Sequence, residues 1–445
     1  MAVWMEKIVI LALALAVAGT GGLTAQALDL TVDEAVSLAL DHNLTLRAEV
    51  LQLDARQRTK DLAWNAFLPK TGVTTSLSRL NQGQTSPLGG ELPNYSIASA
   101  SISAQLTISL ALFDGIRHTT LDWQAGVIES ETARQKLIRD TKKAYYQLLL
   151  LKQNIAIYEA QLETARKRYE REKKSFEAGQ GSEFTMLSAQ LAWENLKPGL
   201  EDVHIAESVA LLGFKQLLGV DRAKELSLRS PPEFRAAPMN ADAMVALAVA
   251  RNGDLAKIRK TVEIQRNLRR GKFNLAYLPV LGFSFTADPT FRKDPFGDPW
   301  FRDPAADWKQ NSGMVSVFLS LSLDSFLPFS STAVELANMD DAIAQLEIGL
   351  QTATQGKEVQ VTSLVLQVEK SRRTLANLEL NVALATRALG MAEKGYEAGS
   401  YELLQVEDAD NKLREARFNV LSEKFTYLSG LFDLEFETNQ SLMEN

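Results

Sequence analysis

The chain is 445 residues long, 46% apolar and 23% charged, which is enough apolar content for a folded body and too much for a disordered one. Its formal net charge of −7 argues against nucleic acid as a partner, because a phosphate-binding surface needs a basic excess. The lack of cysteine excludes disulfides, thiolate metal sites, cysteine nucleophiles and a lipid-modified N-terminal cysteine together.

At the start, Lys7 precedes an apolar run from Ile8 to Val17 and a small-residue stretch ending Ala25, Gln26, Ala27. This pattern predicts a secretory signal peptide over residues 1–27, with Leu28 the first mature residue. Beyond it no apolar run reaches the roughly 18 to 20 residues that a membrane helix requires, so any crossing must use strands.

Thr31 is placed as an N-cap with Glu34 three residues on, a capping-box spacing that opens a helix ending near His42 and Asn43. A second helix runs from Leu44 to about Phe67 and stops at Leu68 and Pro69. The period then changes from helical to two. Val73, Thr75 and Leu77 suggest a strand at about 71–80. Ala98, Ala100, Ile102, Ala104, Leu106, Ile108, Leu110 and Leu112 alternate with Ser, Thr and Gln and predict another at about 98–112. One face is apolar and the other hydroxyl-rich, over lengths near the roughly 9 to 11 residues of a tilted membrane strand.

A long helix is predicted over 116–176, with Leu137, Thr141, Ala144, Leu148, Leu151 and Ile155 opening a heptad seam that continues to Phe176, broken by Glu172. At about 1.5 Å per residue a helix of this size reaches on the order of 90 to 100 Å. Ala178 and Gly179 form a turn, and a return helix follows over 182–218, with Pro198 predicted to kink it.

The same text then returns. Residues 230–238, rich in proline, form a linker between a first repeat, 28–229, and a second, 239–445. Asn252 and Pro279 echo Asn43 and Pro69, strands are predicted at about 280–287 and 314–323, and a long helix over 332–396 repeats the first seam 220 residues later. Ala398 and Gly399 form its turn, and a return helix covers 400–434. The segments 81–95 and 288–313, between the paired strands, read as long loops; the aspartates of the second suit no calcium loop. Four strands cannot close a membrane barrel, since the smallest use about eight, so the chain must assemble with copies of itself.

In order, Asn43, the Leu-Pro pair at Leu68, the Leu-Phe-Asp-Gly run from Leu112 to Gly115, the end of the first repeat at Leu217, Leu218 and Gly219, and the duplicated turns at Gly179 and Gly399 resemble the TolC-like outer membrane efflux proteins. The resemblance implies a mainly α fold with a membrane β-hairpin pair. Its long antiparallel coiled-coil helices would form an α-barrel tunnel across the periplasm, and four strands per chain would complete a 12-stranded barrel in a homotrimer. It implies an outer-membrane location, a passive exit duct for efflux or type I secretion, and no enzyme activity. Partners would be outer membrane lipid, a periplasmic adaptor (membrane fusion) protein docking on the tips at Ala178, Gly179, Ala398 and Gly399, and an inner-membrane pump of the RND or ABC type. The family's entrance carboxylates fall nine and six residues after the second turn: Asp408 fits the first place, Gln405 occupies the second, and Glu407 flanks the site. Residue types and spacing give no catalytic, cofactor or metal site, and His42, His118 and His204 stand singly. The rival reading is a trimeric coiled-coil envelope spacer or adhesin that does not conduct.

Overall fold

The computed structural model describes residues 28–79, 96–229, 239–288, 290–293 and 313–442. The expected signal peptide, the linker 230–238 and most of the two strand-connecting loops lie outside these residues. The described residues fall into two compact units, one drawn from 1–47, 134–244 and 361–445 and the other from 48–133 and 245–360.

In chain order the elements are β1 (Leu28–Leu30), α1 (Val32–His42), α2 (Leu44–Asp61), β2 (Lys70–Arg79), β3 (Ser96–Ile108), α3 (Leu110–Glu177), α4 (Glu183–Leu218) and β4 (Leu226–Leu228). Then come α5 (Ala241–Arg251), α6 (Gly253–Tyr277), β5 (Val280–Ala287), β6 (Thr290–Lys293), β7 (Gly313–Ser320), α7 (Ser331–Glu397) and α8 (Leu403–Thr438). The order of two short helices, a pair of strands, a long helix and a return helix therefore occurs twice, with the short β6 added in the second repeat.

The first unit is held by a core in which Leu30, Ala35, Ala39, Tyr145, Leu148, Phe214, Leu218, Leu428 and Phe432 are buried. The capping box at the start of α1 is formed: Glu34 N donates to Thr31 Oγ1 at 3.3 Å and Thr31 N to Glu34 Oε2 at 2.8 Å. β1 and β4 pair in parallel, Leu28 to Leu226 and Leu30 to Leu228, which ties the start of the first repeat to its end. The Tyr145 hydroxyl seals this pair from below, 2.9 Å from the carbonyl oxygens of both Leu30 and Arg229. Two pieces of the family-like pattern meet here. Asn43 Nδ2 donates to Leu217 O at 2.9 Å while its Oδ1 accepts from Leu46 N, so one side chain caps α2 and joins it to the end of α4. α4 continues unbroken through Pro198.

The second unit carries an antiparallel sheet in the order β2-β3-β5-β7, with β6 also pairing with β3. The hairpins of the two repeats thus join at β3 and β5. Register matches like with like: Val73 lies opposite Ile102, Leu106 opposite Phe283, and Phe283 opposite Val317, while Ser76 faces Ser99 and Ser284 faces Ser316. The hydroxyls of the last two pairs lie 2.7 and 2.5 Å apart.

Several boundaries differ from the sequence reading. α2 stops at Asp61, with Ala63–Phe67 forming a 3₁₀ turn in place of its expected end, and α8 runs Leu403–Thr438 rather than 400–434. β3 ends at Ile108 rather than 112, because Leu112 N donates to Ser109 O and the chain has already turned into α3 by Leu110. β7 ends at Ser320, and Asp324–Phe326 form a 3₁₀ turn with Ser325 buried, which supplies the bend where this repeat has no glycine. β6 lies inside the segment read as loop.

Candidate functional site

The two tip turns are built alike. Gly179 N donates to Phe176 O and Gln180 N to Ser175 O; 220 residues later Gly399 N donates to Tyr396 O and Ser400 N to Gly395 O, all within 2.8–2.9 Å. This is the Schellman closure, which needs a left-handed residue at its corner, and Gly179 (φ 75°) and Gly399 (φ 73°) supply it. Ala178, Gly179, Ala398 and Gly399 are all exposed. The copies differ next to the turn: Ser175 faces Gly181 in the first, whereas in the second Gly395 makes room for the Tyr401 ring.

Each return helix is then capped. Ser182 Oγ accepts from Thr185 N at 3.1 Å at the start of α4, and Gln405 Oε1 accepts from Glu402 N at 3.1 Å at the start of α8. Gln405 is thereby a capping residue on an exposed surface rather than a free group.

Between α3, α4, α7 and α8 near the turns lies a groove of 830 Å³, lined among others by Gln161, Arg168, Leu191, Tyr396, Glu407, Asp410 and Arg414. Its charges are incompletely matched. Arg168 is buried, with its guanidinium 3.5 Å from Glu393 and 3.9 Å from Asp410. Glu407 Oε1 is buried without a hydrogen-bond partner. Burial raises the Glu407 carboxyl above its ordinary value, with Asp410 adding to the shift and Arg168 opposing it. Tyr396 is pushed up to about 12, first by burial and then by its hydrogen bond to Glu172. Aromatic contacts brace the same stretch: Tyr169 stacks on Trp193 at 5.7 Å, and Arg414 lies over the Tyr158 ring at 5.3 Å.

The three candidates at the start of α8, Gln405, Glu407 and Asp408, therefore do different things, because successive helical residues point about 100° apart. Glu407 turns into the groove. Asp408 points to solvent, 60% exposed, and pairs with Lys412 one turn on at 2.6 Å. The sequence reading placed Tyr396 and Glu172 in the helical seams and did not single out Arg168 or foresee a shared groove. Glu172 was the visible signal, being a carboxylate in an otherwise apolar seam, and it is buried beside the Tyr396 hydroxyl.

A raised carboxyl binds its proton more tightly in the folded chain than in the unfolded one. The stability it contributes is present below the ordinary value of 4.5 and is lost as pH rises through the higher folded value. The variant Glu407→Gln is accordingly expected to melt above the native chain at pH 8 and no higher at pH 4, followed by circular dichroism at 222 nm.

Comparison with known sequences decides the family: the profile described as Outer membrane efflux protein matches residues 35–219 and 305–428. The chain belongs to that family. Outer membrane protein TolC of Vibrio cholerae is 22% identical over 421 residues, covering 90% of this chain and 89% of that protein. Protein CyaE of Bordetella pertussis is 26% identical over 204 residues, which span 46% of this chain and 43% of that protein, so the match extends over less than half of CyaE. Among solved structures, the CmeC outer membrane channel of Campylobacter jejuni superposes with a TM-score of 0.77 at 16% identity, over 93% of this chain and 87% of that one. The open-state MtrE outer membrane channel of Neisseria gonorrhoeae gives 0.70 at 17% identity, over 95% and 94%. The mainly helical fold of this efflux family member is thus the fold of the CmeC and MtrE channels.

Proposed function

We propose that three copies of the mature chain form a passive channel-tunnel in the outer membrane, the exit duct of a tripartite efflux or type I secretion system. The observation that carries this reading is the sheet, four strands wide, in which β5 and β6 pair with successive stretches of β3. Its apolar side chains are set in register on one face and left bare, with Val73 at 72% and Val315 at 77% exposure, while the other face carries paired serines. An apolar outside and a hydroxyl inside are what a wall between lipid and water requires. Among the described residues β2 pairs only with β3 and β7 only with β5, so each leaves an edge for a neighbouring copy. Three such sheets would give twelve strands, closing the barrel.

On this reading residues 1–27 are cleaved on export, residues 28–229 and 239–445 form the two repeats about the linker 230–238, and the helices stand in the periplasm. The exposed small residues Ala178, Gly179, Ala398 and Gly399 let an adaptor protein approach closely, and that adaptor couples the duct to an inner-membrane pump of the RND or ABC type. The pump supplies the energy. Threefold symmetry turns any lumenal carboxylate into a ring that favours cations. Asp408 is proposed as that carboxylate, Glu407 as the group that senses its surroundings through the groove, and Gln405 as the cap holding the helix start.

Planar-bilayer recording of the purified protein tests the duct. Discrete channels are expected; a non-conducting spacer would give none. Because Lys412 sits one turn from Asp408, the two variants should move selectivity in opposite directions. Asp408→Ala is expected to lower the cation-to-anion permeability ratio, and Lys412→Gln to raise it, each by about two- to fivefold. Equal ratios in all three proteins would remove Asp408 from the gate.

A further inference from the structure

The hydroxyl face of the sheet has an aromatic interruption. Phe318 of β7 lies opposite Gly282 of β5, which lies in turn opposite Thr107 of β3, so the ring belongs to the same face as Ser284, Ser316 and Gln105. Gly282 is buried on that face because the Phe318 ring lies across it, and a Cβ at Gly282 would run into the ring. The seat fixes the ring flat against the wall, in the way an aromatic side chain covers a cross-strand glycine. Phe318 nevertheless keeps 40% of its surface free. It is the one aromatic side chain on this face among the described residues of the four strands.

Next to the ring is a depression of 430 Å³ to which Lys70, Gln105, Ser284 and Thr286 also contribute. Lys70 lies opposite Gln105, and Gln105 opposite Ser284, so cation, amide and hydroxyl form one row beside the ring on the same face. An apolar plate next to an ammonium group and neutral hydrogen-bonding groups is chemically matched to a flat aromatic body bearing an acidic group.

We propose that Phe318, seated on Gly282, and Lys70 form a specificity-determining subsite on the inner wall of the strand region, one per protomer, which retards and selects planar aromatic acids as they pass. The inference rests on the duct reading, since it needs this face to line the pore, and it adds a solute class to that reading. The ring stacks on the transiting aromatic, Lys70 orients its carboxylate, and Gln105 offers an amide N–H. No covalent step is involved.

The test is block of single-channel current in planar bilayers by 2-naphthoate, compared with neutral 2-naphthol. The native channel is expected to be blocked more strongly by 2-naphthoate. Phe318→Leu keeps the strand apolar and should weaken block by both compounds by about three- to tenfold, the range of one aromatic pair. Gly282→Ala, which unseats the ring without removing it, should weaken block in the same direction. Lys70→Gln should abolish the preference for the acid over the phenol and leave block by the phenol unchanged. Channels that open normally but are blocked identically in Phe318→Leu would overturn the subsite while leaving the duct intact. Lack of any channel in the native protein would overturn both.

Discussion

Replacing Asp114 by alanine is expected to lower the stability of the second unit by about 2–3 kcal/mol. Asp114 sits in the first turns of α3 with its side chain 6% exposed. Its Oδ1 accepts from Arg270 Nε at 2.6 Å and its Oδ2 from Asn274 Nδ2 at 2.6 Å, while its backbone oxygen accepts from Asn267 Nδ2 at 2.8 Å. Asn267, Arg270, Gly271 and Asn274 form one stripe of α6, at the spacing of three, four and seven that shares a helical face. Gly271 is needed for the approach: a Cβ there would lie 3.2 Å from the Asp114 Cβ. Alanine would leave the Arg270 and Asn274 donors facing an apolar methyl, while the Asn267 bond to the backbone oxygen would remain. The cost is below the 3–5 kcal/mol of breaking a fully buried pair because Arg270 is 49% exposed and water can reach it. Asp114→Asn, which keeps one acceptor, should lose roughly half as much. Thermal unfolding followed by circular dichroism distinguishes these outcomes, and a native melting curve for Asp114→Ala would show that the stripe on α6 does not grip the start of α3.

The same residue shows where sequence reading stops. The Leu-Phe-Asp-Gly run was legible as a strand exit, because alternation ended there and the run resembles the efflux family. Nothing in the spacing announced its partners, since Asn267, Arg270 and Asn274 lie some 150 residues away and look like ordinary polar positions on an amphipathic helix. Local signals were readable for a physical reason: the Thr31–Glu34 box, the period-two faces and the glycines at 179 and 399 are each fixed by neighbours within a few residues. β1 and β4 were not, because three residues are too few to show alternation and their pairing is parallel between distant segments. In the candidate site, the turns were legible down to the residue, but the orientation of Gln405, Glu407 and Asp408 was not. All three are polar and fall within one turn of helix, and only the contacts of α8 with α3 and α4 decide that Glu407 is the one that turns inward.

Gly219→Ala is expected to cost about 2–4 kcal/mol, whereas Gly399→Ala should cost only about 1–2, although the two glycines share almost the same backbone geometry. Both stand at the corner of a Schellman closure with positive φ, 66° at Gly219 and 73° at Gly399, so each substitution carries the penalty of placing an L side chain in the left-handed region. What separates them is space. Around Gly399 a Cβ would meet nothing within 4 Å, but at Gly219 it would enter the backbone carbonyl of His42. That carbonyl cannot move aside freely, because the next residue, Asn43, is held by Leu217 O on one side and caps α2 on the other. The extra loss at Gly219 is therefore an overpacking cost of about 1–3 kcal/mol added to the backbone cost. Measured as the difference between the two variants' unfolding midpoints, the backbone cost cancels and the contact between the end of the first repeat and the end of α1 remains. Equal midpoints would mean that the His42 carbonyl yields, and that the closure of the first repeat is looser than Asn43 and Leu217 make it.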